Sequence, residues 1–191
     1  RKIVNDLKAA KDLLAKCDTI KENKHWMSTE NRMLAVNSGT SGELAKDVFF
    51  AYRGYRMNYY AVTAMLARVY CWAGEYGNAY KEAKEVVDAT YSTGSTSTAS
   101  CFNFSNSLTT NRKDYNSIIM TFFKSTCYED YLPYMTKGND VVLVVNTTNL
   151  FGDEAGADDR NLDLFGDWDG GDIKYSFKYD IKEGTSGTDM I

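Results

Sequence analysis

The sequence predicts a mostly α-helical protein in which paired helices are combined with irregular loops and a few short strands. In the first 90 residues, apolar side chains recur at helical spacing, most clearly at 56–89. Beyond residue 91 that spacing is lost, and short β-branched runs alternate with Gly-, Ser- and Asp-rich stretches. We therefore expect one region, 1–191, with a helical part at 1–90 and a loop-rich part with short strands at 91–191.

The chain opens with a helical pattern. Apolar residues between 3 and 14 recur on one face, with Lys and Asp between them, which predicts an amphipathic helix. Residues 17–42 are polar and end in NSGTSG, the composition of a loop. A short helix is expected at 43–52.

The strongest helical signal is RMNYYAVTAMLARVYCWAGEYGNAYKEAKEVVDA, residues 56–89. Asn58 is a suitable N-cap for a first helix, and Gly74 permits the tight turn to a second one. The positions that match the spacing of a tetratricopeptide helix pair are Leu66, Ala67, Tyr70, Gly74, Tyr76 and Ala79. Thr63 replaces the usual bulky first position, and no proline follows the second helix. These residues predict a tetratricopeptide-like hairpin at 57–90.

The hairpin carries more apolar side chains than two helices can bury against each other. One face of the second helix is expected to hold Ala79, Tyr80, Ala83, Val86 and Val87. Cys71 is expected to pack in the first helix as a small hydrophobic residue. Trp72 and Tyr76, at the turn, either pack against a neighbouring helix pair or contact a partner.

The second half has a different character. Residues 92–98, STGSTST, predict a flexible linker or an exposed loop. Runs at 118–123 and 141–145, and the alternating stretch IKYSFKY at 173–179, predict strands or extended segments.

Composition excludes several classes of protein. There are 22 basic and 26 acidic residues, a net charge of −4, with no basic stripe of the kind that nucleic acid requires. No apolar run reaches the ~20 residues of a membrane helix. The cysteines, Cys17, Cys71, Cys101 and Cys127, form no zinc pattern with the single His25, and a disulfide pairing stays open.

Because the chain begins within a helix and without Met, we interpret it as a fragment of a longer protein.

Three places combine aromatic rings, which stack on sugars, with side chains that bond hydroxyl groups. They are Trp168 with Asp167 and Asp169, the triplet Tyr128, Tyr131 and Tyr134 beside Glu129 and Asp130, and Trp26 in the first polar loop. The alternative at each place is an aromatic residue that fills a small core.

The acidic segment GDWDGGD has a further interpretation. Asp167, Asp169 and Asp172 place carboxylates close together, as calcium prefers, but the closing Glu of a calcium loop is missing. A solvated acidic turn is the favoured alternative, so no cofactor is expected.

Catalytic motifs are absent from the sequence. The chain has a single histidine, no G-x-S-x-G, no H-E-x-x-H and no phosphate-binding loop. A glycosidase needs only two carboxylates, but 26 acidic residues single out no pair. We therefore predict a binding protein rather than an enzyme.

The hairpin segment resembles the SusD/RagB family of outer-membrane nutrient-uptake lipoproteins. The resemblance is carried by an A-x-x-x-M-L-A-R-V-Y-x-x-A-G-x-Y pattern and an acidic tail, namely Ala61, Met65, Leu66, Ala67, Arg68, Val69, Tyr70, Ala73, Gly74, Tyr76 and residues 85–88. Looser similarities are the opening helix IVNDLKAAKDLL and the stretches DDRNLDLF and KYSFKYD. The lipidated cysteine and the C-terminal helical segment of that family are not in this sequence.

The resemblance implies a non-catalytic, surface-exposed lipoprotein of the outer membrane, involved in polysaccharide utilisation. Such a protein captures oligosaccharide or another nutrient and passes it to a SusC-like TonB-dependent transporter. The lipid anchor would belong to the intact protein. The alternative function is a tetratricopeptide-type scaffold for protein–protein interaction.

Overall fold

The computed structural model describes residues 1–33, 52–93, 96–104, 114–122, 124, 126–135, 139, 141–167, 170 and 173–176. Its α-helices are α1 (Lys2–Asp18), α2 (Thr29–Arg32), α3 (Tyr59–Trp72), α4 (Tyr76–Val87), α5 (Cys127–Met135), α6 (Thr147–Phe151) and α7 (Asp159–Leu164). Its strands are β1 (Thr90–Ser92), β2 (Thr98–Ser100), β3 (Val144–Asn146), β4 (Phe165–Asp167) and β5 (Ile173–Ser176). Single 3-10 turns occur at Lys24–Met27, Arg53–Tyr55 and Gly152–Glu154. The described part is therefore mostly α-helical with a few short strands, as predicted.

The chain forms two compact units. The first consists of residues 1–104 and 115–122, and the second of residues 105–114 and 123–191. Among the described helices, none combines the length and the apolar character needed to cross a membrane.

The predicted pair of helices is confirmed as α3 and α4. Asn58 caps α3, because its side-chain oxygen accepts a hydrogen bond from the amide of Ala61 at 2.9 Å. Gly74 has a φ of +74°, and the amide of Glu75 donates to the carbonyl of Tyr70 at 2.9 Å. The left-handed glycine thus reverses the chain and satisfies a carbonyl at the end of α3.

Two apolar clusters hold the first unit together. Leu66, Tyr70 and Ala79 are buried between α3 and α4, with Val4 and Leu7 of α1 packed against them. The second cluster consists of Met27, Tyr59, Tyr60, Val86, Ala89 and Cys101, and Leu14 and Ala15 of α1 and Tyr91 of β1 pack against it. The predicted opening helix is therefore confirmed as α1, and it covers one side of the helix pair.

The segment predicted as a polar loop at 17–42 is more ordered than expected up to Met33. The Ser28 side chain accepts from the amide of Asn31 and begins α2. Arg32 is fully buried, and its guanidinium donates to the carbonyl oxygens of Met27, Cys101, Tyr115 and Asn116. The Arg32 side chain therefore links three separate segments of the first unit through their carbonyl groups. Hydrophobic periodicity does not predict such a buried polar residue.

The burial of Arg32 removes a charged group from water, which costs free energy. Its guanidinium carbon lies 4.4 Å from the centre of the Phe102 ring, and no described residue bonds its Nε. Removal from water lowers the pKa of Arg32 to about 10. The side chain therefore remains a cation at neutral pH, and among the described residues it is stabilised by carbonyl dipoles and an aromatic face.

The run at 118–123 is predicted to be a strand or an extended segment, and residues 118–122 form no strand. The amide of Thr121 donates to the carbonyl of Gly54, and the carbonyl of Ile119 accepts from the Asn58 side chain. These two backbone groups are thus bonded to residues just before α3 instead of to a neighbouring strand. The stretch 92–98, predicted as a linker or loop, joins two short strands, β1 and β2, which pair antiparallel from Thr90 opposite Ser100.

The second unit contains a three-stranded antiparallel sheet in the order β3-β5-β4. Val144 lies opposite Tyr175, and Asp167 lies opposite Lys174. The predicted strands at 141–145 and 173–179 are confirmed in part: β3 begins at Val144, and β5 is described as far as Ser176. The helix expected at 43–52 lies outside the described residues apart from its last position.

Candidate functional site

One side of the α3–α4 pair is not covered by any element in the described part of the chain. We call it the open hairpin groove, a cavity of about 440 Å³. Its lining residues come from both helices: Ala67, Arg68, Cys71 and Trp72 of α3, and Tyr76, Ala79, Tyr80 and Ala83 of α4. Its size falls within the range of small binding clefts.

Three aromatic side chains of this groove are unusually exposed. Trp72 is 84% exposed, Tyr76 71% and Tyr80 67%. A large ring left this open forgoes the stabilisation that burial would provide, about 1.5–3 kcal/mol for a Phe-sized side chain. Exposed aromatic residues grouped in a concave surface are typical of a contact site.

The position of the groove on the hairpin follows from the packing of α1 against the opposite side. Leu66 and Tyr70 point away from it into the cluster that α1 caps. Lys11 of α1 reaches α4, where its ammonium lies 2.6 Å from carboxylate oxygens of both Glu82 and Glu85. These carboxylates raise the pKa of Lys11 against the opposing effect of its partial burial. The ion pairs therefore fix α1 on one side of the hairpin, and no element that the structure describes packs on the other side.

The expectation that Cys71 packs in the interior is wrong. Cys71 is exposed, as is Ala83, and both belong to the open hairpin groove. The predicted apolar face of α4 is likewise divided. Ala79 and Val86 are buried, whereas Tyr80 and Val87 are exposed, because described residues cover only one flank of that face.

The second unit presents a separate aromatic surface on α5. Tyr131 and Tyr134 are 42% and 45% exposed, and Glu129 and Asp130 on the same helix are exposed. We call these four residues the tyrosine surface. It offers ring faces and carboxylates together, which is the combination that a sugar-binding site requires.

Two neighbours shape the tyrosine surface. The ammonium of Lys124 bonds to the Asp130 carboxylate and lowers the pKa of that carboxyl. The amide of Leu143 donates to the carbonyl of Tyr134 at 2.7 Å, so the segment leading into β3 lies beside the end of α5. Asp130 is thus held ionised and ready to accept hydrogen bonds.

The other predicted site residues have different positions. Trp26 is only 8% exposed, with its ring centre 4.4 Å from that of His25, so its face is not open to a ligand. This burial argues against the predicted role of Trp26 and agrees with the alternative of a core residue. Asp167 is exposed at the end of β4.

Several candidates fall beyond the described part of the chain. Trp168, Asp169 and Asp172 lie outside the described residues, as does the side chain of Tyr128. In the portion that the structure describes, no group of three or more His, Cys, Asp or Glu side chains could hold a metal ion. The calcium hypothesis at 167–172 therefore stays a prediction.

The open hairpin groove was not among the predicted ligand sites. For Trp72 and Tyr76 the sequence left packing and partner contact open, and Tyr80 was expected on an apolar face, because helical periodicity marks these residues as apolar without showing what covers them. A signal was present, since the second helix carries apolar residues over a wider arc than one partner helix covers.

Comparison with protein-family models, with curated proteins and with solved structures gives no match to this chain.

Proposed function

We propose that this chain is the non-catalytic, cell-surface subunit of a nutrient-uptake system, which captures oligosaccharide and passes it to a TonB-dependent outer-membrane transporter. The observation that carries the proposal is the α3–α4 hairpin. It forms over the segment whose residues resemble the SusD/RagB pattern, with the turn at Gly74 and with Ala79 buried between the helices.

The finer fold is part of the same proposal. We interpret α3 and α4 as a tetratricopeptide-like pair, in which small residues at Ala67 and Ala79 allow two helices to approach closely. Helix pairs of this kind are stable only when neighbours cover them. The packing of α1 on one side of the pair supports this interpretation.

The tyrosine surface is the ligand site that the described residues support best. The rings of Tyr131 and Tyr134 would stack on the apolar faces of pyranose units, and the carboxylates of Glu129 and Asp130 would accept hydrogen bonds from hydroxyl groups. The prediction at Trp168, Asp167 and Asp169 remains open as a second contact. Recognition by stacking and hydrogen bonding involves no bond cleavage, which fits a protein that hands its ligand on.

Localisation and partners follow from the same proposal. We place the intact protein at the outer face of the outer membrane, held there by a lipid anchor and in contact with a SusC-like transporter. The exposed carboxylates and net charge of −4 fit a neutral sugar ligand better than a polyanion.

The test is a glycan array on the intact protein, followed by calorimetry on each hit. We expect the double variant Tyr131→Ala/Tyr134→Ala to weaken binding at least about tenfold, which corresponds to 1.4 kcal/mol. Tyr76→Ala in the first unit is the matched control, because it removes an exposed tyrosine from a different surface and should leave glycan affinity unchanged.

Two results would contradict the proposal. An array without hits would exclude glycan capture and leave the scaffold function as the better explanation. Hydrolysis of a bound glycan during the measurement would identify the chain as a glycosidase.

A further inference from the structure

The two carboxylates of the tyrosine surface lie on different faces of α5. A helix turns by about 100° per residue. Asp130, Tyr131 and Tyr134 therefore fall within an arc of about 100°. Glu129 lies about 100° beyond Asp130, on the side away from the two rings. A small ligand that contacts the rings can therefore reach Asp130 but not Glu129.

Glu129 has a structural explanation at its position. Residues 126–129, TCYE, match the pattern of a capping box, in which a Glu three residues after the cap supports the first turn of a helix. The amide of Asp130 donates to the carbonyl of Thr126 at 2.9 Å, as the first bond of a helix capped by Thr126. Glu129 is thus in the position that supports the start of α5, and Asp130 is not.

Asp130 is held through one of its two oxygens. The Lys124 ammonium pairs with Oδ2, and the Thr126 hydroxyl donates to the same atom at 3.2 Å. Among the described residues, both bonds to this carboxylate go to Oδ2, which leaves Oδ1 as an acceptor. The Asp130 side chain is 47% exposed, so a ligand can approach it. The carboxylate is therefore fixed in place and still able to accept a hydrogen bond.

The ion pair also determines the charge that a ligand meets. A carboxylate without a counter-ion favours a cationic ligand such as an amino sugar. Lys124 and Asp130 together carry no net charge, so most of that preference is lost. The carboxylate keeps its capacity to accept strong hydrogen bonds from hydroxyl groups. The pair therefore favours a neutral sugar over an amino sugar.

The spacing on α5 suits a single sugar ring. Tyr134 is the i+4 neighbour of Asp130, and Cβ atoms at this spacing lie about 5–6 Å apart, comparable with the width of a pyranose. A pyranose that stacks its apolar face on Tyr134 directs its equatorial hydroxyl groups outward from the rim of the ring. One of these hydroxyl groups then meets Oδ1 of Asp130. Tyr131, the i−3 neighbour of Tyr134, extends the stacking surface.

We propose that Asp130 is the specificity-determining residue of the tyrosine surface. Its Oδ1 accepts a hydrogen bond from a rim hydroxyl of a neutral pyranose stacked on Tyr134, and Lys124 is the positioning residue that holds it. This role of Asp130 rests on the proposed function, because it requires sugar to bind at the tyrosine surface. Of the two carboxylates there, Asp130 is the one that a short ligand uses.

The probes are the methyl glycosides of glucose, galactose and mannose, together with that of glucosamine. Their binding to the intact protein is followed by NMR through the ring signals of labelled tyrosine. We expect Asp130→Asn to weaken binding of the neutral glycoside with the highest affinity about five- to tenfold. Glu129→Gln is the matched control. It removes the same charge from the same turn of α5 and should change that affinity less than about twofold.

Lys124 is tested through its effect on Asp130. Lys124→Met should weaken binding of the same neutral glycoside about threefold and improve binding of the glucosamine glycoside. Lys124→Arg, which keeps the ion pair, should restore both values. In an Asp130→Asn background, Lys124→Met should have little further effect, because a positioning residue acts only through the residue that it holds. A purely structural role of Lys124 would instead give the same loss in both backgrounds.

The remaining outcomes separate failure of this role from failure of sugar binding. A loss in Glu129→Gln that equals or exceeds the loss in Asp130→Asn would overturn the assignment of the acceptor. Unchanged affinity in both, with a loss in Tyr131→Ala/Tyr134→Ala, would leave binding by stacking and remove the role of Asp130. Preference of the unaltered protein for the glucosamine glycoside would overturn the charge selectivity. If no probe binds to the folded protein, the tyrosine surface is not a sugar site and both proposals fail there.

Discussion

Asp18 and Arg53 form the most buried ion pair among the described residues. Their side chains are 1% and 5% exposed, and the guanidinium bonds to both carboxylate oxygens, with Nη2 at 2.8 and 2.7 Å. The carboxylate also accepts from the amide of Tyr59 at 2.9 Å, at the first residue of α3. Asp18 therefore joins the end of α1, the turn at Arg53–Tyr55 and the start of α3.

Removal of this carboxylate charge should destabilise the first unit strongly. We expect Asp18→Asn to lower the free energy of unfolding by about 3–5 kcal/mol, because the buried Arg53 guanidinium would lose its carboxylate partner Asp18 and the Tyr59 amide would lose a charged acceptor. Urea denaturation followed by circular dichroism measures the change. Asp88→Asn is the matched control. It breaks the exposed pair with Lys84, whose side chains are 54% and 56% exposed, and should cost less than about 0.5 kcal/mol.

At the scale of elements, the turn between α3 and α4 depends on one backbone conformation. Gly74 has a φ of +74°, and a Cβ built there would meet nothing within 4 Å. Gly77, in the first turn of α4, has equally open surroundings, but its φ is negative. The two glycines therefore differ in backbone conformation and not in available space.

Alanine should have opposite effects at these two positions. Gly74→Ala should destabilise the protein by about 1–2 kcal/mol, because an L-residue is strained at that φ. Gly77→Ala should stabilise it by about 0.5–1 kcal/mol through better helix propensity. Thermal denaturation of the two variants side by side gives the comparison. The same sign for both would contradict the assigned turn geometry.

How far the sequence predicts these elements depends on where their partners lie along the chain. The α3–α4 pair was predictable because its cap, its turn glycine and its small residues all lie within one segment. For 118–123 the sequence left a strand and an extended segment open, and residues 118–122 form no strand, because their hydrogen bonds go to Gly54 and Asn58, far away in sequence. Strand-like composition indicates burial, but it does not identify the partner.

The candidate sites were also predictable only as far as their packing partners lie close to them in sequence. The exposure of Tyr131 and Tyr134 agrees with the sugar-contact prediction, which rested on residue types alone. Trp26 is buried, which agrees with the alternative of a core residue, and Trp72 is exposed, so no described helix packs over it. A periodic pattern shows which residues are apolar, whereas burial is decided by which elements pack over them.

At the scale of the whole molecule, groups that resist losing their protons are concentrated in the first unit. Burial raises the pKa of Cys101 to about 11, and burial together with the Glu85 carboxylate raises the pKa of Tyr59 to about 12. The pKa of Tyr60 is raised as well, chiefly by burial. In an unfolded chain these groups would release their protons at lower pH.

Stability should therefore fall as the solution becomes alkaline. Above the pKa of an unfolded thiol, near 9, the folded state holds a proton that the unfolded state has released, so unfolding becomes more favourable until the folded pKa is passed. We expect Cys101 to contribute a loss of about 1–2 kcal/mol between pH 8 and pH 11. Urea titrations across this range measure it. In Cys101→Ala the slope should be shallower, and an unchanged slope would exclude Cys101 as the source.

The first unit is discontinuous along the chain, and this has a consequence for its synthesis. Arg32 and Asn58 find hydrogen-bond acceptors in residues 115–119, which the ribosome adds long after the helix pair is complete. At about 5–20 residues per second, several seconds separate the emergence of Arg32 from that of its last acceptors. During that interval the nascent unit would hold an incompletely satisfied cation where its centre is to form. Folding of the first unit during synthesis therefore cannot finish until residues 115–119 have been added, after residues 105–114 of the second unit.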